Sequence, residues 1–284
     1  MRVLITGAAG NLGSKLIAHL QSVDWCTGIV AIDPRPIASA GKLTAVIADL
    51  RDTTEHGWIN EVTLADAIVH FAAQNPAPDS NWLEAAQSLD MTLNLLNRAG
   101  DRSCRFVFAS SNHVLGGYKD APLPPGQLLS GATPPLPGTR TFDGTSHYTP
   151  HAYGSSKLMG ERAVAARANA SAGQCTGVNV RIGWVQPGDN RPATIGVHGG
   201  GTNSGPGQPD AQDVARSLRW FRAMWLSNRD FVQLMERAIL APATGWPAQS
   251  IVVSGVSNNS GTLWDHSAGR HLLDYQPIDD VAAS

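Results

Sequence analysis

The 284-residue sequence predicts an α/β fold, a doubly wound parallel sheet with helices on both faces. Two observations carry this. Short apolar runs of strand length alternate with segments of helical period through the first two thirds of the chain. The first of those runs passes directly into a glycine-rich turn and then into an amphipathic stretch.

The elements follow in order. Val3–Ile5 reads as a buried strand, and Leu12–Leu20, with Leu12, Leu16, Ile17 and Leu20 on one face, as a helix. Strands are expected at Gly28–Ile32, Leu43–Ile47, Ala67–Phe71, Arg105–Ala109 and Gly177–Ile182. Helices are expected at Trp82–Ala99 and Tyr153–Ala170. Two stretches rich in proline and glycine, Tyr118–Pro150 and Pro187–Gln212, interrupt the rhythm and exceed ordinary connections. Each follows a strand, so each should begin at the carboxyl edge of the sheet, where ligands bind in such folds.

Composition narrows the class. Hydrophobic residues make up 42% and charged residues 15%, ordinary values for a soluble globular chain. A net charge of −2 without a basic run argues against a nucleic-acid partner. Cys26, Cys104 and Cys175 are few, odd in number and far apart in sequence. They read as reduced thiols, with neither a disulfide framework nor a metal site expected. No apolar stretch reaches the roughly 18 residues that would cross a membrane. Met1 and Arg2 lead straight into a strand pattern, leaving no room for a signal peptide, so a cytoplasmic setting is expected.

The turn T-G-A-A-G-N-L-G places Gly7, Gly10 and Gly13 between the first strand and first helix. Gly7 permits the sharp turn, Gly10 lets backbone N–H groups approach a pyrophosphate, and Gly13 lets helix pack closely on strand. Asn11 and Leu12 open the helix, whose N-terminus adds partial positive charge. Asp33 closes the second strand about 20 residues later, where a carboxylate binds a ribose 2′-hydroxyl and repels a 2′-phosphate. NAD is therefore preferred over NADP, although nearby Arg35 could pair with that phosphate. Asp49 and Leu50, after the third strand, could meet the adenine. Together these features predict a Rossmann-type dinucleotide fold.

Tyr153-Gly154-Ser155-Ser156-Lys157 sets a tyrosine and a lysine four residues apart, on one helix face. A free phenol has a pKa of about 10 and is a poor base at neutral pH. A neighbouring ammonium, with an oxidised nicotinamide, would stabilise the phenolate.

These motifs, with D-L-R-D, H-F-A-A, F-A-S-S-N-H-V-L-G and Y-G-S-S-K, resemble the extended short-chain dehydrogenase/reductase family over nearly the whole chain. The resemblance implies that Ser111, Tyr153 and Lys157 are catalytic. Ser111 would bond the reacting oxygen, Tyr153 would exchange its proton, and Lys157 would also hold the nicotinamide ribose. It places Phe71, Ala72 and Ala73 along the cofactor. S-S-N-H-V-L-G and the C-terminal sequence resemble the uronate dehydrogenases in particular. That resemblance implies a sugar acid surrounded by Gln74, Ser111, Asn112, His113, Tyr153, Trp184 and Arg191. Two departures stand out. Ser88 occupies the place of the first Asn in the family's Asn-x-x-Gly-Thr-x-Asn helix motif, and Trp184 replaces a substrate-binding Ser in R-I-G-S. Arg191 is the carboxylate clamp by nearest spacing, with Arg219 and Arg222 as alternatives.

The expected architecture is a single Rossmann-type domain over residues 1–284. Its cofactor part would span about 1–175, and its small substrate part mainly about 176–284 with loop 118–150. That part is small for a nucleotide-sugar, which favours a free monosaccharide acid. The expected reaction is NAD-dependent oxidation of a hexuronate at C1 to the aldarolactone. Alternatives are another acidic or sulfonated sugar, a sugar epimerase or dehydratase of the same family, and a non-catalytic NAD-binding protein. Relatives commonly associate, so a homo-oligomer is expected. His70 reads as a core histidine, while His147, His151 and His198 have no assigned role. Trp220, Phe221 and Trp225 read most simply as core.

Overall fold

A computed structural model of the chain describes residues 1–99, 104–197, 207 and 209–283. His198 and much of the second glycine-rich stretch lie outside the described residues. Seven parallel strands form the sheet: β1 Arg2–Thr6, β2 Gly28–Asp33, β3 Leu43–Ile47, β4 Ala67–His70, β5 Cys104–Ser111, β8 Cys175–Ile182 and β9 Ser250–Gly255. Their order is β3-β2-β1-β4-β5-β8-β9. A two-stranded hairpin, β6 Thr141–Phe142 and β7 His147–Tyr148, stands apart from it. The helices are α1 Asn11–Ser22, α2 His56–Leu64, α3 Trp82–Arg98, α4 Ala152–Ala170, α5 Ala211–Ala223, α6 Asn228–Leu240 and α7 Ser267–Leu273.

Alternation along the strands loads both faces of the sheet. On β1, Val3 and Ile5 join Leu16 and Leu20 of α1 and Phe231 and Leu234 of α6. Leu4 faces the opposite way, into a second cluster with Trp58 of α2, Leu95 of α3 and Phe106 of β5. Each such side chain, once fully buried, contributes roughly 1.5–3 kcal/mol. A third cluster gathers Leu115, Trp220, Phe221, Trp225, Trp264 and Val281 beside the carboxyl edge. The three aromatics from Trp220 to Trp225 are thus core.

The elements expected from the sequence are present, with ends that agree to within two residues. The sequence reading did not include β9, α2, α5, α6 or α7. The run S-I-V-V-S-G of β9 becomes a sheet edge only because it lies in register beside β8, with Val178 opposite Ile251. Cys104 and Cys175, distant in sequence, sit opposite each other on β5 and β8 as buried cysteines.

The stretch from Tyr118 to Pro150 leaves the carboxyl edge after β5 and folds back against it. Thr139 Oγ1 lies 2.6 Å from His113 Nδ1, and Gly138 N–H donates to the His113 carbonyl at 3.1 Å. Arg140 and His147 both reach Asp213 of α5, at 3.2 and 2.6 Å. These contacts fix the stretch over the carboxyl end of the sheet. Among the described residues no helix is long and apolar enough to cross a membrane.

Candidate active site

The glycine turn between β1 and α1 is shaped by what a Cβ would hit. Gly7 has φ 66°, and a Cβ there would lie 2.7 Å from the Ala72 backbone nitrogen. A Cβ on Gly13 would lie 2.5 Å from the Gly7 carbonyl oxygen, so α1 can approach β1 only without one. Helix α1 begins at Gly10 with no side-chain cap and no acidic residue in its first turn. Helices α3, α5 and α6 are instead capped by Asn81, Asp210 and Ser227. The first amides of α1 therefore keep their donors and their partial positive charge for an anion. That donor set fits the pyrophosphate of a dinucleotide.

Two cavities meet at this turn and share Gly7, Gly10, Phe71 and Pro76. The larger, about 560 Å³, runs toward the ends of β2 and β3. Asp33, Arg35, Asp49 and Leu50 form one wall, and Phe71, Ala72 and Ala73 another. This is where the adenosine half of a dinucleotide could lie. Asn94 Nδ2 donates to the Leu50 carbonyl at 2.9 Å and steadies that wall from α3. Ser88, which stands in place of the motif asparagine, accepts the Gln74 N–H at 3.0 Å.

The second cavity, about 260 Å³, lies over the carboxyl ends of β5 and β8. Asn11, Leu12, Ser111, His113, Tyr153, Lys157 and Trp184 line it. The Ser111 hydroxyl accepts the His113 N–H at 3.2 Å and caps the 3₁₀ segment Asn112–Lys119. Lys157 Nζ donates to the Ala109 carbonyl at 2.7 Å and stands 5.7 Å from the Tyr153 ring centre. The His113 ring lies edge-on to Tyr153, with centres 5.9 Å apart. Tyr153 comes this close because Gly154 follows it. A Cβ at Gly154 would lie 2.6 Å from the His113 carbonyl oxygen.

Electrostatics modify one expectation. Burial pushes the Tyr153 phenol up from its ordinary value, and its hydrogen bond with Ser111 offsets this only in part. The chain alone therefore does not acidify the phenol, because desolvation outweighs its neighbours. Burial also pulls Lys157 down to about 8 and His113 down to about 4. His70, fully buried between Thr6 and Thr92, is held at about 3 by burial and then by the Lys157 charge. It is a structural histidine beneath the site.

Comparison with known proteins agrees with this geometry. The family model described as "NAD dependent epimerase/dehydratase family" matches residues 3–185, more than half of the chain. The chain belongs to that family. It is an NAD-dependent dehydrogenase built as an extended short-chain dehydrogenase/reductase. It is 29% identical to an L-arabinose 1-dehydrogenase (NAD(P)(+)) of Haloferax volcanii, over 99% of this chain and 98% of that protein. It is 28% identical to a uronate dehydrogenase of Pseudomonas putida, over 98% of this chain and 84% of that one. A glucuronic acid dehydrogenase structure from Chromohalobacter salexigens superposes with a TM-score of 0.70 at 25% identity. It covers 99% of this chain and 86% of its own.

The dehydrogenase also carries a buried network that sequence reasoning missed. Arg181 of β8 forms two 2.9 Å bonds to the Glu161 carboxylate of α4, and Glu161 accepts the Ser110 hydroxyl at 2.5 Å. Both charged side chains are almost wholly buried. Removing one partner of such a pair typically costs about 3–5 kcal/mol. The network ties together the residue before Ser111, the helix turn after Lys157 and the strand leading to Trp184. The spacing Lys157-x-x-x-Glu161 was the available signal, since it puts Glu161 on the catalytic face of α4.

Other expected substrate contacts are not brought to the second cavity. Gln74 lies exposed on the rim of the larger one, because its backbone is held by Ser88 of α3. Asn112 is wholly buried outside the cavity wall, with neither amide atom partnered. Arg191 is 74% exposed and pairs with Asp189 at 2.7 Å. Gln186 Nε2 holds the Arg191 carbonyl, and this turn aims the side chain at solvent. Arg219 is exposed on α5, and Arg222 is spent on the Val281 carbonyl at 2.9 Å.

Proposed function

We propose that the protein oxidises a free cyclic hexuronate, of the glucuronate or galacturonate type, at C1 to the aldarolactone. The observation supporting this most is the meeting of Ser111, Tyr153 and Lys157 in one cavity contiguous with the glycine turn. The sequence S-S-N-H-V-L-G and the similarity to a uronate dehydrogenase favour the acid.

Tyr153 takes the proton of the anomeric hydroxyl. It does so as the phenolate and becomes the neutral phenol; Lys157, pinned to the Ala109 carbonyl, stabilises that anion before the proton arrives. Ser111 accepts the His113 N–H and bonds the Tyr153 phenol, and it turns its own proton to the sugar oxygen when the sugar binds. His113 stays neutral, so it adds no competing charge. Trp184 lines the cavity and carries a buried indole N–H without a partner. When bound, NAD would supply a positive charge and the acceptor for the C1 hydride.

One observation favours a second reading, oxidation of a neutral aldose. Among the described residues no arginine lines the catalytic cavity, and Trp184 in its wall suits an uncharged ring. Similarity to an L-arabinose 1-dehydrogenase points the same way. The test is a panel of uronates, neutral pentoses and neutral hexoses with NAD, followed by absorbance of the reduced cofactor. A kcat/KM at least about tenfold higher for acids is expected. The opposite preference selects the neutral reading, and no turnover of any sugar overturns both.

A further inference from the structure

Two acid–arginine pairs, each two residues apart, stand on the adenosine-side cavity: Asp33 with Arg35 after β2, and Asp49 with Arg51 after β3. A site restricted to NAD needs a carboxylate free to accept from the ribose diol and charged enough to repel a 2′-phosphate. Asp33 has lost the first property, and the Arg35 charge offsets the second. Its Oδ1 accepts the Arg35 backbone N–H and Nε–H, both at 3.0 Å. Its Oδ2 accepts the Ala9 N–H at 3.0 Å and Arg35 Nη2 at 3.4 Å. A carboxylate offers about four acceptor positions, and here all are taken.

Exposure decides which group a ligand meets. The Asp33 side chain is 3% exposed and that of Arg35 is 64% exposed. A Cβ placed on Gly10 would lie 4.0 Å from Arg35 Nη2, so the guanidinium hangs beside the phosphate turn. Arg51 makes 3.0 Å bonds through Nε to both Asp49 oxygens and a 2.6 Å bond through Nη2. Its side chain is 37% exposed on the same cavity. Burial disfavours the Asp33 charge, but bonds from Arg35 and Ala9 outweigh it, and the carboxyl stays below its usual range. Asp49 is likewise held low by Arg51. Two acids and two arginines cancel, which removes the repulsion expected from Asp33 alone.

We infer that this cavity holds a 2′-phosphate subsite made by Arg35 with Arg51, and that the protein binds NADP as well as NAD. The inference rests on the dinucleotide reading of the cleft. Giving up the long 3.4 Å contact frees Arg35 Nη2 for phosphate, while the Ala9 and Arg35 backbone N–H groups keep Asp33 in place. A planar guanidinium suits phosphate oxygens, and Arg51 adds a second positive charge.

The test measures binding to the purified, full-length protein by calorimetry. The probes are adenosine 5′-monophosphate, adenosine 2′,5′-bisphosphate, NADH and NADPH. The bisphosphate should bind at least as tightly as the monophosphate, and NADPH within about tenfold of NADH. Arg35→Ala should weaken both 2′-phosphate ligands relative to NADH by at least about tenfold. Arg51→Ala should do the same to a smaller extent. Rising salt should weaken the bisphosphate more than the monophosphate in the unmodified protein, which keeps the test independent of any variant's folding. If the monophosphate and NADH bind but the 2′-phosphate ligands are more than about tenfold weaker, the subsite is refuted and the NAD reading stands. If none of the four binds, the dinucleotide reading falls and takes the subsite with it.

Discussion

The two walls of the cleft are made of different material. The wall facing the dinucleotide is mostly backbone: Gly7 and Gly10 without a Cβ, the uncapped amides of α1, and the chain at Phe71–Ala73. The wall facing the sugar is mostly side chain, drawn from separate parts of the chain: Ser111 on β5, His113 after it, Tyr153 and Lys157 on α4, and Trp184 beyond β8. Backbone recognises phosphate and little else, so the glycine-turn part of the first wall is generic. Side chains distinguish one sugar from another, so the second wall sets specificity and can vary without disturbing the first.

The largest test of this division is Tyr153→Phe. It removes the proton acceptor and nothing from the backbone wall. The kcat should fall by about a thousandfold, while NADH affinity measured by fluorescence stays within about twofold. Equal loss of both would mean that the two walls cannot be separated.

Acid should act on both walls at once. His70 beneath the glycine turn, His113 at the sugar wall and His266 in the C-terminal part are held at about 3, 4 and 4, below the ordinary 6.5. The unfolded chain takes up protons that these folded sites refuse. Their contribution to stability is therefore full above pH 6.5 and is lost as pH falls toward 4. Each site contributes about 1.4 kcal/mol per pH unit in that window, and the three together about 4. Thermal melting across pH should show a steep drop between pH 6 and 4, shallower in His113→Gln. A flat profile would contradict the buried, neutral assignment.

The smallest expected effect is that of Arg191→Ala. This side chain pairs with Asp189 in solvent, where an ion pair is worth little. The KM for a uronate should change by less than about twofold. A large rise would mean that the segment after β8 moves onto the sugar, making the second wall larger than its resting form.

Legibility in the sequence followed the same division. Gly7, Gly10 and Gly13, Asp33, and the pair Tyr153 and Lys157 could be read because their geometry is local. A turn with no room for a Cβ, a strand end and four residues of helix each fix position over a few residues. Arg191 could not be read this way, since its direction depends on Gln186 and Asn190 in a turn after β8. Trp184 was legible as a departure from the family pattern. Its unpartnered N–H and its packing against Phe221, 6.0 Å between centres, were not. The pairing of Glu161 with Arg181 was hidden for the same reason: the helix spacing places Glu161, but nothing in either neighbourhood says that β8 will lie beside α4.

By itself the sequence determined the alternation of strands and helices, the phosphate turn and the phenol–ammonium pair, because periodicity and backbone sterics act between near neighbours. Only the tertiary structure decided that Asp33 faces Arg35 before it faces a ribose, that burial raises the Tyr153 phenol, and that no candidate arginine reaches the sugar cavity. Those outcomes depend on desolvation and on the direction of side chains meeting across the fold, and both are set by residues far apart in the chain.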